Sequence, residues 1–236
     1  MKSELLGTLS VRLLGGRDGN GGGTGPVIVL LHGFGAPGDD LVSLAGALKV
    51  PSGTRFVFPE APIDLGPMYM GGRAWWKIDL EARMRREALG QARDLAEIPD
   101  GLVEARAEVI ALLNAVEREL HAPPTKIVLG GFSQGAMLSL DVALRSDRAF
   151  AGVVLMSGTH IAKNEWAPLL KARAHLPLFM SHGTEDPVLP FKVSSDLRDT
   201  LVSEGWSVEW IPFRGGHGIP SNVTHGVSTF LEKVLT

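Results

Sequence analysis

The sequence predicts a doubly wound α/β fold, with a mostly parallel central sheet and helices on both faces. From residue 126 onward, strand-like and helix-like segments alternate, as repeated βα units require. Several strand-like segments, such as "FAGVVLMSG", are continuous apolar runs, which is typical of strands buried on both faces. The length of 236 residues and the absence of internal repeats predict a single domain, 1–236, with no large lid domain.

The N-terminal third predicts two strands, "LSVRLLGG" and "PVIVLLHG", joined by the Gly-rich loop "RDGNGGGTG". That loop is too short for a parallel crossover, so we expect a hairpin and a mixed sheet at this edge. It leads into a strand and not into a helix, which disfavours a phosphate-binding loop. A helix over "DDLVSLAGALKV" and a short strand over "TRFVFPEAP" follow.

The remaining elements include one irregular stretch at 62–80 and helical patterns at 81–94 and from Pro99 to about 120. Three βα units come next, and a last strand precedes a final helix that starts near Pro220. The strands are "KIVLGGF", "FAGVVLMSG", "LPLFMSHG" and "WSVEWIPF", and the helices between them cover 135–146, 162–174 and 190–204.

The composition excludes several classes of function. A formal net charge of −3 gives no reason to expect nucleic acid or an anionic membrane as a partner. No apolar run approaches the roughly 18 residues that cross a bilayer, and the N-terminus is a poor signal peptide. The chain has no cysteine and no zinc-type histidine pattern, so we expect no metal and no cofactor. These features predict a cytoplasmic protein, monomeric or homodimeric.

The stretch "LGGFSQGAML" places Ser133 between a strand and a helix, with glycines two positions away on each side. A nucleophile elbow needs this arrangement, because the serine occupies a strained turn where the strand and helix backbones approach closely. Gly131 and Gly135 supply the space. The sequence therefore predicts that Ser133 is a nucleophile.

An oxyanion hole is predicted beside this serine. The backbone N–H of Gln134 lies at a helix N-terminus, where unpaired donors favour negative charge. A second donor is expected from the loop after an earlier strand, and "VIVLLHGFGAPGDD" provides one. We assign that donor to Phe34, with Gly35 next to it, and expect His32 to be a structural hydrogen-bonding residue.

A nucleophilic serine needs a histidine base and an acid that orients it, in the chain order Ser, Asp or Glu, His. The loop "HGTEDPVLP" offers Asp186 as the acid, with Glu185 as the alternative. The Gly-rich loop "RGGHGIP" between the last strand and the last helix offers His217 as the base. His182 lies too close to the strand end for this role and is interpreted as a residue that fixes the loop.

Four segments together, "LLHGFGAPGDD", "GGFSQGAM", "HGTEDPVLP" and "GGHGIP", resemble the phospholipase/carboxylesterase family of α/β hydrolases, which includes bacterial carboxylesterases and acyl-protein thioesterases. The resemblance spans residues 26 to 234. It implies the α/β-hydrolase fold, the triad Ser133, Asp186 and His217, and oxyanion-hole donors at Phe34 and Gln134. The family also has a tryptophan in a loop that borders the site, which here corresponds to Trp75 or Trp76.

Substrate-binding residues are predicted in the irregular stretch and after the acid loop. Met68, Met70, Trp75, Trp76 and Leu189 are apolar residues of the kind that line an acyl pocket. The alternative is that the residues of the irregular stretch fill the core below the sheet edge.

The function predicted from these residues is that of a serine carboxylesterase acting on small-molecule esters with short to medium acyl chains. A thioesterase or lysophospholipase with the same triad is the enzymatic alternative. A non-catalytic receptor for small ligands on the same fold is the alternative from another class.

Overall fold

A computed structural model describes residues 1–91 and 94–236. These residues contain ten strands: β1 Lys2–Leu6, β2 Leu9–Gly15, β3 Val27–Leu31, β4 Arg55–Pro59, β5 Ile63–Asp64, β6 Arg73–Ala74, β7 Ile127–Phe132, β8 Gly152–Met156, β9 Leu178–Gly183 and β10 Val208–Phe213. The helices are α1 Leu44–Ala47, α2 Leu80–Ala88, α3 Leu102–Glu119, α4 Gln134–Arg145, α5 Lys163–Leu170, α6 Phe191–Ser203 and α7 Ser221–Leu235.

Eight of the strands form one sheet in the order β1-β2-β4-β3-β7-β8-β9-β10, and β5 and β6 form a separate two-stranded ribbon. The pairs from β4 through to β10 are parallel, whereas β1 with β2 and β2 with β4 are antiparallel. The predicted fold class, a mostly parallel α/β sheet of the α/β-hydrolase type, is confirmed. No large lid domain is inserted in the described part of the chain.

The prediction that the strands on either side of the Gly-rich loop pair as a hairpin is wrong. The two strands that flank residues 17–25 are β2 and β3, and β4 lies between them in the sheet. The antiparallel edge arises instead from β1, which pairs with β2 across the tight connection at Gly7. The sheet is mixed at this edge, as expected, but the Gly-rich loop spans a neighbouring strand because β4 pairs with both β2 and β3.

Helices cover both faces of the sheet and form two apolar cores. One core lies under α3, α4, α5 and α6, and the other lies under α1 and α7. In α7, Val223, Val227, Phe230 and Leu231 are buried at the i, i+4, i+7, i+8 spacing of a helical stripe. A fully buried side chain of this size contributes about 2 kcal/mol. α4 is different, because nearly all of its residues are buried and it lies between α3 and α5.

Two helices differ in length from the sequence prediction. The helix expected at 39–50 is reduced to α1, because the residues before it form successive turns. The helix expected at 81–94 corresponds to α2, and residues 92–93 of that prediction lie outside the described part of the chain.

Candidate active site

Ser133 lies on the turn between β7 and α4, with φ 55° and ψ −117°. This left-handed backbone is uncommon for a residue with a Cβ and stores local strain. The turn is held from both sides, because the Ser133 N–H donates to the Met156 carbonyl at 2.9 Å and the Ser133 carbonyl accepts from the Met137 N–H at 3.1 Å. The backbone therefore fixes the serine at the C-terminal edge of the sheet.

Glycines make the close approach around Ser133 possible. A Cβ added to Gly131 would lie 2.5 Å from the Leu31 carbonyl oxygen, and one added to Gly135 would lie 2.1 Å from the same atom. Both distances are shorter than van der Waals contact permits. The serine turn can thus pack against the end of β3 only with glycine at these two positions.

The structure brings Ser133, His217 and Asp186 into one hydrogen-bonded line, although they are far apart in sequence. The His217 Nε2 lies 2.8 Å from the Ser133 Oγ, and the His217 Nδ1 lies 2.7 Å from the Asp186 Oδ2. A carboxylate accepts hydrogen bonds and cannot donate, so Nδ1 carries the proton and Nε2 is free to accept from the serine hydroxyl.

The Asp186 carboxylate is buried and receives several donors. Its Oδ1 accepts the backbone N–H groups of Val188 at 2.8 Å and Leu189 at 2.9 Å. Burial alone would raise the pKa of Asp186, but the hydrogen bonds from Leu189, His217 and Val188 outweigh burial and hold the pKa below its usual value. Asp186 is therefore ionised at neutral pH and available to stabilise a positive charge on His217.

A second histidine lies behind this carboxylate. The His182 Nε2 is 2.8 Å from the Leu189 carbonyl oxygen and 3.2 Å from the Asp186 Oδ2. Burial lowers the pKa of His182, so the ring is neutral with its proton on Nε2. His182 thus fixes the acid loop, in the role that its position near the end of β9 predicts.

The loops that carry Asp186 and His217 are bound to each other. The Thr184 N–H donates to the Phe213 carbonyl at 2.8 Å, and the Glu185 N–H donates to the Gly215 carbonyl at 3.0 Å. The His217 ring also packs against Phe132, with the centroids 4.7 Å apart. Side-chain direction separates the two acidic candidates, because Glu185 is exposed and pairs with Arg214.

The two predicted oxyanion-hole residues belong to segments that adjoin the serine. Gln134 is the first residue of α4, and Phe34 lies on the loop after β3. A Cβ added to Gly33 would be 3.3 Å from the Ser133 Cβ, so this loop passes directly beside the serine. Among the described residues, the backbone N–H groups of Phe34 and Gln134 donate to no other protein group.

His32 orients the peptide group that carries the Phe34 N–H. Its Nε2 accepts the Ala61 N–H at 3.1 Å, which leaves the proton on Nδ1, and Nδ1 lies 2.8 Å from the Gly33 carbonyl oxygen. That carbonyl belongs to the same planar peptide as the Phe34 N–H. Burial lowers the pKa of His32, so the ring is neutral.

The residues predicted to bind substrate fall into two groups. Met68 and Met70 are each 93% exposed on the connection between β5 and β6, whose Tyr69 ring packs edge-on against Phe34 at 5.9 Å. Trp75, Trp76 and Leu189 are buried in the core under α3, α4, α5 and α6. The contact of both groups with a substrate remains a prediction.

Sequence reasoning missed one group of contacts near Ser133. The side chain of Gln134 bonds to the backbone at Trp75 and Trp76, and the Trp75 indole bonds to the His32 carbonyl. Residues about 40 to 60 positions apart meet here, and no local pattern in the sequence announces such pairings.

Comparison with known proteins identifies similar chains over almost the full length. The family model described as Phospholipase/Carboxylesterase matches residues 22–235. An acyl-protein thioesterase 1 from Gibberella zeae is 31% identical over 224 residues, which cover 88% of this chain and 90% of that protein. The acyl-protein thioesterase 1 of Schizosaccharomyces pombe is 29% identical over 214 residues, with coverage of 88% and 90%.

Solved structures agree with these relatives. The crystal structure of esterase PE8 superimposes with a TM-score of 0.80 at 27% identity and covers 96% of this chain and 99% of that one. The Bacillus cereus carboxylesterase superimposes with a TM-score of 0.73 at 20% identity, covering 96% and 94%, and is similar in fold. None of the helices in the described part of the chain combines the length and the apolar character needed to cross a membrane.

Proposed function

Since the chain belongs to the phospholipase/carboxylesterase family of α/β hydrolases, it is a serine hydrolase, and we propose that it is a carboxylesterase for short- to medium-chain esters. The observation that carries this proposal is the hydrogen-bonded line from the Ser133 Oγ through the His217 ring to the Asp186 carboxylate. In this proposal Ser133 is the nucleophile, His217 the general base and Asp186 the acid that orients it.

Acylation begins when the Ser133 Oγ attacks the ester carbonyl carbon. The His217 Nε2 accepts the serine proton, and the ionised Asp186 stabilises the resulting imidazolium. The negative charge that develops on the carbonyl oxygen is held by the backbone N–H groups of Phe34 and Gln134. Collapse of this intermediate expels the alcohol, which takes the proton from His217 and leaves an acyl group on Ser133.

Deacylation repeats the same steps with water as the nucleophile. His217 removes a proton from water, the hydroxide attacks the acyl carbonyl, and the same two N–H groups hold the second oxyanion. Ser133 leaves with the proton from His217, and the carboxylic acid is released. One ester and one water give one alcohol and one acid, and the protein returns to its starting state.

A thioesterase with the same residues is the second candidate function. It is favoured by the names of the relatives, since the matched fungal proteins are acyl-protein thioesterases. The acyl-enzyme and its hydrolysis are the same in both cases, and only the leaving group differs, a thiolate in place of an alkoxide. The two functions are therefore separated by the leaving group and not by the triad.

The experiment is a comparison of p-nitrophenyl esters from acetate to palmitate with acyl thioesters of the same chain lengths. The wild type is measured beside Ser133→Ala and beside Ser228→Ala, a buried serine on α7 that bonds to the Lys49 N–H and serves as the matched control. We expect hydrolysis of short and medium esters by the wild type and Ser228→Ala, and a loss of about 10⁴-fold or more in Ser133→Ala.

Two other results would revise the proposal. A kcat/KM at least tenfold higher for thioesters than for esters of the same acyl chain would favour the thioesterase. Ester hydrolysis that persists in Ser133→Ala would refute the assignment of the nucleophile.

A further inference from the structure

The two backbone donors of the proposed oxyanion hole lie on separate elements. Phe34 is on the loop after β3, whereas Gln134 begins α4. A donor stabilises the oxyanion only at hydrogen-bond distance from it, so the spacing between the two elements has to be fixed. This inference rests on the proposed function and concerns what fixes that spacing.

A third segment, residues 73–76, is bonded to the start of α4 through the side chain of Gln134. The Gln134 Oε1 accepts the Trp75 N–H at 2.9 Å, and the Gln134 Nε2 donates to the Trp76 carbonyl at 2.8 Å. Both hydrogen bonds are buried. A buried amide that makes bonds through both of its ends cannot rotate without losing them, so the segment is anchored to the helix that carries the first donor.

The same segment is bonded to the loop that carries the second donor. The indole N–H of Trp75 donates to the His32 carbonyl at 2.9 Å, two residues before Phe34. Beyond Phe34, the Gly35 N–H donates to the Arg73 carbonyl at 2.9 Å, and the Arg73 N–H donates to the Ala36 carbonyl at 3.0 Å. The loop is thus held by residues 73–76 on both sides of its donor.

The His32 carbonyl also lies against α4 itself. A Cβ added to Gly135 would be 2.6 Å from the His32 oxygen. This oxygen therefore has the helix backbone on one side and accepts a hydrogen bond from the Trp75 indole, which is 1% exposed. Without that hydrogen bond, a buried carbonyl would lose its donor, and the loop would shift to recover one.

We propose that Trp75 is a positioning residue of the oxyanion hole: its indole N–H and backbone N–H join the loop of Phe34 to the helix of Gln134 and set the spacing of the two donors. Trp75 itself does not touch the reacting atoms. It acts through the His32 carbonyl and the Gln134 side chain.

The test replaces Trp75 with Phe, which keeps an aromatic ring in the core and removes the indole N–H. Trp206→Phe is the matched control, because Trp206 is also buried and its indole N–H donates to the Leu170 carbonyl at the same distance of 2.9 Å. Each variant is assayed for ester hydrolysis and for inhibition by an alkyl trifluoromethyl ketone, whose adduct with serine places an oxyanion in the hole.

Displacement of one donor should cost less than the roughly 10²- to 10³-fold that follows its removal. For Trp75→Phe we expect kcat to fall about tenfold and the Ki of the ketone to rise by about the same factor, with KM within about twofold of wild type. Trp206→Phe should keep the wild-type kcat and the wild-type Ki of the ketone. A purely structural role would lower the melting temperatures of both variants and leave Ki unchanged.

The inference is overturned if Trp75→Phe keeps kcat and Ki within about twofold of wild type, or if Trp206→Phe loses as much. If Trp75→Phe does not fold, β-(3-benzothienyl)alanine at position 75 preserves the shape of the indole and lacks its N–H, and the same loss is expected. A wild-type protein that neither cleaves an ester nor reacts with the ketone would overturn the proposed function together with this inference.

Discussion

Substitution of Asp186 by Asn replaces one acceptor oxygen of the proposed triad with an NH₂ donor and changes almost nothing of the side chain's shape. The Asp186 Oδ1 accepts two backbone N–H groups, at 2.8 and 2.9 Å, and the Oδ2 faces the His217 Nδ1 at 2.7 Å. In the Asp186→Asn variant the amide oxygen has to take the Oδ1 position, because an NH₂ group cannot accept from two backbone donors. The NH₂ group then faces His217.

This orientation forces the other tautomer on the histidine. The His217 Nδ1 must accept from the NH₂ group, so the proton moves to Nε2, which lies 2.8 Å from the Ser133 Oγ. An Nε2 that carries a proton cannot accept one from serine. We expect kcat for p-nitrophenyl butyrate to fall about 10⁴-fold, equivalent to about 5.4 kcal/mol of transition-state stabilisation.

The neighbouring carboxylate provides the control for this substitution. Glu185 is exposed and pairs with Arg214, so Glu185→Gln should keep kcat within about twofold of wild type. A thermal melting curve of each variant serves as the control for folding. The reasoning is refuted if Asp186→Asn stays within a factor of two of wild type, and the acid role passes to Glu185 if Glu185→Gln is the inactive variant.

Three further predictions concern stability. Gly135→Ala should prevent stable folding, because the added Cβ would lie 2.1 Å from the Leu31 carbonyl oxygen. The control Gly46→Ala has open space around the added Cβ and should melt at or above the wild-type temperature. Equal melting temperatures of the two variants would contradict the turn geometry. Burial lowers the pKa of His160 to about 4, so between pH 7 and pH 5 the unfolded chain binds a proton that the folded one excludes, and stability falls as pH falls. In urea unfolding, His160→Phe should lose about 2 kcal/mol less than wild type over this range, and an identical pH dependence would count against it. Asp141→Ala removes a buried carboxylate that accepts hydrogen bonds from two arginines and an indole. The free energy of unfolding should fall by about 3 kcal/mol, while kcat per folded molecule is unchanged. A fall of less than about 1 kcal/mol in the free energy of unfolding would contradict this prediction.

The strands and helices around the candidate site could be predicted because each has a local cause. The residues that follow the lysine in "KIVLGGF" carry no charge because β7 is buried, and Gly131 and Gly135 are needed where the turn meets β3. The acid and base candidates could be located because they follow the last two strands of a parallel sheet, whose C-terminal ends share one edge.

The strand order at the other edge could not be predicted, because pairing partners are chosen over long distances. A short Gly-rich loop after β2 is typical of a hairpin, yet β4 enters the sheet between β2 and β3. β1 also escaped prediction, since "KSELL" is mostly exposed at the sheet edge and has a weak apolar pattern. Neither feature has a signal within a short window of sequence.

The contacts that support the site were invisible for a similar reason. The hydrogen bonds of Gln134 and Trp75 join segments that approach each other only in the folded chain. Glutamine and tryptophan also occur at many positions where they make no such bonds, so the residue types alone do not indicate these contacts. The substrate-binding residues raise the same difficulty. Exposed Met68 and buried Trp76 come from one apolar stretch, but Met68 lies on the connection between β5 and β6, whereas Trp76 follows β6.

The central claim is that Ser133 is a nucleophile activated by His217. Its most direct test is the reaction of the protein with a fluorophosphonate, followed by mass mapping of the modified peptide in wild type and in His217→Ala. We expect one phosphonylated residue, Ser133, and a labelling rate that falls by several orders of magnitude in the variant. Modification of another serine, or equal rates in the two proteins, would contradict the account.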